Sequence, residues 1–285
     1  MGNIFSSRAF LKKITTEFAM ENRFAVIGNP IGHSLSPIIH QRFAEQMGFM
    51  LDYEKIHVDD IEFEQTVFDF FHQGGKGLNI TLPFKERAFS MADIHTPRCE
   101  QAKAANTLWM DNGLLHADTT DGVGLIRDLS RHVTLKDKRI LILGAGGASR
   151  GIIGPLLDAN IATLVLANRT ESRAKALQRD FPDIKCSALD ALTTGYDVII
   201  NATSASLTND AFPLSPSLLT PTTYCYDLVY NIHKPTPFLS WARQHGCAAS
   251  DGLGMLVEQA SEAFFMWHAV MPRSISDVIL DLRRV

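Results

Sequence analysis

Between Arg139 and Arg173 the chain reads RILILGAGGASRGIIGPLLDANIATLVLANRTESR: an apolar run, a glycine cluster, a second apolar run and two arginines. Gly144, Gly146 and Gly147 come directly after the first run. Glycines there let the backbone approach a pyrophosphate, and the helix that starts behind them turns unpaired N–H groups toward its charge. After the second run, a unit that holds a free ribose 2′-hydroxyl places Asp or Glu. This chain instead places Asn168, Arg169, Thr170 and, shortly after, Arg173. A guanidinium binds phosphate oxygens in a planar, bidentate way, so this pair suits an adenosine 2′-phosphate. The chemistry indicated is an NADP(H) site. Ser149 stands where GxGxxG has its third glycine, and it is small enough for close helix packing. A surface turn with incidental arginines is the competing reading; the strand–helix–strand pattern around the motif weighs against it.

A second set of polar residues falls just after apolar runs, where ligands bind in open α/β sheets. Ser34 and Ser36 precede Pro37, and their hydroxyls can project together toward a ligand. Ser36 can equally cap the helix that Pro37 starts. Thr81 is followed by Leu82-Pro83-Phe84-Lys85, which holds a lysine beside a strand end, although a solvated lysine at a helix start is the commoner case. Asn106 opens another strand, and the segment Asp118-Thr119-Thr120-Asp121-Gly122, which carries Asp121, closes the hairpin. Asp121 can also simply cap the next helix. Hydroxyls, an amide, an ammonium and a carboxylate at the strand ends of one sheet describe a site for a polyhydroxylated substrate.

The elements that must position these groups alternate along the chain. Strands are expected at 24–28, 53–58, 77–82, 108–110 and 114–117, with Asn112-Gly113 as a hairpin turn because both residues tolerate positive φ. Helices are expected at 37–47, at 60–72 (capped by Asp59 or Asp60), from Lys85, and at 123–132. Further strands follow at 139–143, 162–167, 197–201 and 224–228, and helices at 253–268 and 275–282. The first of these two helices has a wide apolar face and is expected to pack back across the first half. The fold class is α/β: two α/β domains flank a cleft, a mixed sheet in the first and a Rossmann-type parallel sheet in the second. The expected division is a leader at 1–19, a substrate domain at 20–121 plus 257–285, and an NADP-binding domain at 122–256.

With 285 residues and 46% hydrophobic content, two domains have ample core material. A formal charge of −4 argues against a nucleic-acid surface. No apolar run approaches membrane-spanning length, and the ten histidines show no metal-ligand pattern. Cys99, Cys186, Cys225 and Cys247 are scattered with no CxxC, which fits a reduced, cytoplasmic compartment. The expected partners are a small-molecule substrate and NADP, with no nucleic acid and no membrane, on a monomer or homodimer. The N-terminal MGNIFS matches a myristoylation pattern, but Met20 is read as the natural start and the leader as disordered or frayed.

With these motifs in hand, the chain resembles the shikimate dehydrogenase family. The resemblance rests on GNPIGHSLSPIIH (28–40), GGKGLNITLPFKE (74–86), AANT (104–107), TTDGVG (119–124), GAGGASRG (144–151), NRTESRA (168–174), NATS (201–204), YDLVY (226–230) and DGLGMLVEQA (251–260), in that order. It implies NADPH-dependent, reversible reduction of 3-dehydroshikimate to shikimate in aromatic amino-acid biosynthesis. Lys85 and Asp121 match the catalytic pair, the lysine giving a proton to the developing alkoxide and the carboxylate orienting it. Ser34, Ser36, Thr81, Asn106, Gln259 and Tyr230 match substrate-binding positions. Gly144, Gly146, Gly147 and Ala148 match the pyrophosphate loop; Asn168, Arg169, Thr170 and Arg173 match the adenosine phosphate end; Gly252 and Met255 match positions near the nicotinamide. Thr119 stands where many relatives carry Asn, Ala105 where Val is common and Ser206 where Gly is common. Two rivals remain: a quinate/shikimate dehydrogenase that also accepts NAD, and a non-catalytic NADP sensor on the same fold.

Overall fold

A computed structural model describes residues 22–192, 195–203, 205 and 214–284. The leader at 1–19 and Ser206 lie outside the described residues. Two six-stranded sheets organise the chain.

The first sheet has the order β2-β1-β3-β5-β6-β4. Its strands are β1 (Arg23–Gly28), β2 (Asp52–His57), β3 (Gly77–Ile80), β4 (Ile94–His95), β5 (Thr107–Asp111) and β6 (Leu114–Asp118). Only β5 runs antiparallel to its neighbours. The start of β5 therefore lies level with the carboxyl ends of β1, β3 and β6. That topology brings Asn106, Gly28, Thr81 and Asp118 to one edge. The β5–β6 turn is the expected hairpin, with φ of 51° at Asn112 and 78° at Gly113. Helices α1 (Ser36–Met47), α2 (Phe63–His72), α3 (Lys85–Met91) and α4 (Pro97–Ala102) cover this sheet.

The second sheet is wholly parallel, with the order β12-β11-β10-β7-β8-β9. It comprises β7 (Arg139–Leu143), β8 (Thr163–Ala167), β9 (Lys185–Ser187), β10 (Val198–Asn201), β11 (Tyr224–Asp227) and β12 (Ala248–Asp251). Buried on both faces, β7 and β10 read as nearly continuous apolar runs, as a central parallel strand must. Strand order reverses between β7 and β10, which opens the crevice where such sheets bind ligands.

Helix α5 (Asp121–Leu129) leads from the first sheet to the second, followed by α6 (Gly147–Asp158), α7 (Glu171–Asp180) and α8 (Pro237–Gln244). The chain then returns through α9 (Leu253–His268) and α10 (Ile275–Leu282). As its apolar face requires, α9 packs Leu253, Val257, Ala260 and Phe264 against Ile39 and Phe43 of α1.

Several expected details differ. Residues 60–72 split into a 3-10 turn (Asp60–Glu62) and α2, and neither Asp59 nor Glu62 caps through its side chain. The third strand stops at Ile80 instead of Leu82, because Pro83 offers no N–H for a ladder. Strands β4, β9 and β12 and helices α4 and α8 add to the expected set. Among the described residues no helix is long and apolar enough to cross a membrane.

Candidate active site

At the facing edges of the two sheets lies a cavity of about 780 Å³. Every expected site residue lines it except Thr170, which is exposed and whose carbonyl accepts a hydrogen bond from Asn168 Nδ2 at 2.8 Å.

On the first sheet's wall, Lys85 Nζ donates to Asp121 Oδ2 at 2.6 Å. The lysine side chain is 11% exposed and the carboxylate 2%. The expectation that Asp121 caps its helix is corrected here: it is the first residue of α5 and makes no cap bond. Its carboxylate is spent on Lys85 and on Asn106 Nδ2, 2.9 Å from Oδ1. A carboxylate held on both oxygens is fixed in orientation, and so is the ammonium it accepts from. Lysine has three donors, and among the described residues Nζ donates to Asp121 alone, so the others face the cavity wall.

Asn106 is itself tightly held. Its Oδ1 accepts from Thr120 N and Thr107 Oγ1, each at 2.9 Å, and its Nδ2 also donates to Thr120 Oγ1 (3.0 Å) and Gln259 Oε1 (3.3 Å). Thr120, which holds Asn106, is a residue that spacing did not single out, although it lies within the quoted TTDG segment. Asn79 is another: it lines the cavity, accepts from Tyr53 Oη at 2.7 Å and donates to the Asn106 carbonyl at 3.1 Å. Burial drives the Tyr53 phenol well above its ordinary range, so this hydroxyl remains a donor.

Ser34 and Ser36 face the cavity together, with Ser34 Oγ donating to Ser36 Oγ at 3.1 Å. The capping role for Ser36 is not realised: it is the first helical residue, and Ser34 Oγ accepts from its N–H at 3.3 Å. Tyr230 reaches from beyond β11 to this loop, its hydroxyl accepting from Leu35 N at 3.3 Å and donating to the His33 carbonyl at 3.5 Å.

On the second sheet's wall, Gly144 adopts φ of +106°, a conformation open to glycine, and a Cβ there would lie 3.0 Å from the Ala202 carbonyl. Ser149 donates to the Gly144 carbonyl at 2.8 Å while fully buried, so the departure from a third glycine closes the turn with a hydrogen bond. Helix α6 then starts from Gly146, with its first N–H groups toward the cavity. Gly147 brings this loop against the lysine, since a Cβ there would lie 3.4 Å from Lys85 Cβ. Gly151, one turn on, lets α6 approach the Thr119–Asp121 turn: a Cβ would lie 3.0 Å from Asp121 Oδ2 and 3.2 Å from Thr119 Oγ1. The Thr119 hydroxyl is buried without a partner among the described residues.

Arg169 and Arg173 stand exposed at the far end of the cavity, and among the described residues neither guanidinium has a hydrogen-bond or ion-pair partner. Glu171 between them, which would repel a phosphate, is paired with Lys175 at 2.8 Å. A glycine turn, a helix start and two guanidiniums without partners among the described residues form a donor set for a dinucleotide that carries an extra phosphate. The residues present fit NADP.

Comparison with known proteins agrees with this geometry. The family model described as "Shikimate dehydrogenase substrate binding domain" matches residues 26–108, and "Shikimate / quinate 5-dehydrogenase" matches residues 128–209. A protein of Legionella pneumophila (strain Lens) named shikimate dehydrogenase (NADP(+)) is 58% identical over 264 residues, covering 93% of this chain and 99% of the relative. The crystal structure of an Ael1 enzyme from Pseudomonas putida superposes with a TM-score of 0.84 at 44% identity, over 92% of this chain and 98% of that one. Shikimate 5-dehydrogenase from Thermus thermophilus, solved with NADP(H) and shikimate, gives a TM-score of 0.83 at 32% identity, over 92% and 99%.

Proposed function

We infer, for a chain that belongs to the shikimate dehydrogenase family, that this cleft carries out the NADP-dependent interconversion of 3-dehydroshikimate and shikimate. The observation that carries the reading is the buried 2.6 Å contact between Lys85 and Asp121 in the same cavity as Arg169 and Arg173, whose guanidiniums have no partner among the described residues. Gly144, Gly146, Gly147 and Ala148 would hold the pyrophosphate, Asn168, Arg169, Thr170 and Arg173 the adenosine end, and Gly252 and Met255 the nicotinamide side. When bound, NADPH supplies the hydride that a ketone carbon accepts.

The chain's own contribution is binding, orientation and one proton. In the reductive direction Lys85 Nζ delivers a proton to the ketone oxygen as negative charge develops on it. Asp121 holds the amine in place through its 2.6 Å contact. In the oxidative direction the neutral amine takes the hydroxyl proton back. Ser34, Ser36, Thr81, Asn106, Gln259 and Tyr230 would orient the ring through its hydroxyls and carboxylate. Ile31, Val26 and Leu256 contribute apolar side chains to the cavity wall.

We divide the chain into a substrate domain (20–121 with 257–285) and an NADP-binding domain (122–256). Helices α5 and α9 run between the two. Four unbridged cysteines suit a cytoplasmic enzyme.

The test offers purified protein shikimate or quinate with NADP⁺ or NAD⁺, in all four combinations, and follows reduced-nicotinamide absorbance. Turnover confined to shikimate with NADP⁺ is the expected result. Comparable rates with quinate or NAD⁺ place the chain among broader dehydrogenases. A folded, NADP-binding protein without turnover contradicts the enzymatic reading.

A further inference from the structure

Three residues ahead of Asp121, Asp118 ends β6 with its carboxylate 2% exposed and surrounded by donors. Arg98 of α4 forks onto it, with Nε 2.8 Å from Oδ1 and 3.0 Å from Oδ2, and with Nη2 on Oδ2 as well. Thr96 Oγ1 donates to the same carboxylate, and so does the backbone N–H of Thr119, at 2.6 Å. The Asp118 carbonyl accepts from Asn106 N at 3.0 Å. This carboxylate thus pins the start of the turn whose next residues carry Thr120 to Asn106 and Asp121 to Lys85.

The remaining nitrogen of Arg98 faces elsewhere. Nη1 crosses to Glu262 Oε1 on α9 at 3.1 Å, and Arg127 Nη2 holds the other Glu262 oxygen at 2.8 Å. Gln259 lies three residues before Glu262 on α9, so the two share one helix face. Asn106 Nδ2 donates to that same Gln259 at 3.3 Å. Two sides of the cavity, the Lys85–Asp121 turn and the Gln259 face of α9, therefore meet on one guanidinium. A rigid five-donor fork can serve both carboxylates at once; a lysine is a single point charge and cannot.

We propose that Arg98 is a positioning residue for the reaction: it fixes the Asp118–Asp121 turn relative to helix α9, and through them the Lys85–Asp121 pair relative to the substrate. Its side chain is not among those that line the cavity. The inference rests on the reading of Lys85 and Asp121 given above. A displacement of about 1 Å in a reacting group can cost on the order of 10²-fold in rate, so loosening this joint is expected to lower kcat about 10–100-fold.

The test compares Arg98→Lys, Arg98→Met and Asp118→Asn with Arg131→Met in the full chain. Arg131 joins Asp128 and Glu258 along the same pair of helices and has no contact with Asp118, so it controls for lost ion pairing alone. The readouts are kcat and KM for shikimate, the solvent deuterium isotope effect on kcat, NADP⁺ affinity, and amide exchange at Thr119 and Thr120. The expected result is a kcat loss with a larger isotope effect and faster exchange at those two amides in the Arg98 and Asp118 variants. NADP⁺ affinity stays within about twofold. Arg131→Met is expected to lower the Tm while leaving kcat and both exchange rates near wild type. If Arg98→Met does not fold, Arg98→Lys and Asp118→Asn carry the test. Wild-type kcat and isotope effect in Arg98→Lys and Asp118→Asn, with Lys85→Met inactive, overturn the positioning role alone. Turnover retained in Lys85→Met overturns the reading beneath it.

Discussion

Replacing Arg169 and Arg173 together by glutamine should separate the two nicotinamide cofactors. Both guanidiniums line the far end of the cavity, and among the described residues neither is engaged by a carboxylate, so nothing must be broken before a phosphate binds. A hydrogen bond to a charged group contributes about 1.5–3 kcal/mol. Both arginines are exposed, so solvent and salt screen them, and about 1–1.5 kcal/mol each is the reasonable share. The pair then contributes about 2–3 kcal/mol, and at about 1.4 kcal/mol per decade NADP⁺ binding weakens roughly 30–140-fold. NAD⁺ lacks the 2′-phosphate, so its affinity should shift by no more than about threefold. Calorimetric titration of wild type and double variant with NADP⁺, NAD⁺ and adenosine 2′,5′-bisphosphate measures all three. The wild-type preference should also shrink with added salt, since exposed charges are screened beyond about 10 Å at 0.1 M. Equal losses for NADP⁺ and NAD⁺ would refute the reasoning, as would an unchanged NADP⁺ affinity.

Three further outcomes are expected. His40 is fully buried against Tyr53, with ring centroids 4.4 Å apart, and burial first, then His268, lowers its pKa to about 3; burial lowers that of His268 to about 4. Both stay neutral in the fold and gain protons on unfolding. Their stabilisation is therefore complete above the ordinary pKa of about 6.5 and is lost as pH falls toward 4 and then 3. Tm should drop across that window in wild type and less steeply in His40→Phe; parallel curves would contradict it. Gly122→Ala should lower stability by about 1–3 kcal/mol, because the added Cβ meets the Gly151 carbonyl at 2.6 Å and Pro155 Cγ at 2.2 Å; denaturant unfolding measures it, and an unchanged midpoint would count against the α5–α6 packing described. Shikimate oxidation should fall together with reduction in Lys85→Met, because the same amine takes the hydroxyl proton back, whereas retained oxidation would argue for another proton acceptor.

The cofactor end was the most legible part of the chain because phosphate chemistry constrains neighbours in sequence: a glycine turn, a helix start and the arginines after the next strand lie within residues 144–173. The catalytic pair was legible as residue types at strand ends, but local rules gave it equally good structural roles. Those roles fail for physical reasons. Ser36 and Asp121 do not cap, because their side chains are bonded to Ser34 and to Lys85 and Asn106. Elements too short to show periodicity were not legible; Ile94–His95 and Ala248–Asp251 complete sheets whose other strands set their position. Contacts between distant residues were also hidden. The bond from Asn106 to Gln259 spans 153 residues, and the Arg98–Glu262 bond spans 164. Only the return of α9 across α1 and α5 brings these groups together.

The central claim is that Lys85 donates the proton while the other residues hold the reactants. Single-turnover kinetics of Lys85→Met, mixed with NADPH and 3-dehydroshikimate, test it most directly, with both binding constants measured in parallel. The account predicts binding within a few-fold of wild type and a reduction rate lowered by about 10²–10⁴-fold, the usual contribution of a positioned general acid. A folded variant that binds both ligands and slows by less than tenfold would contradict it.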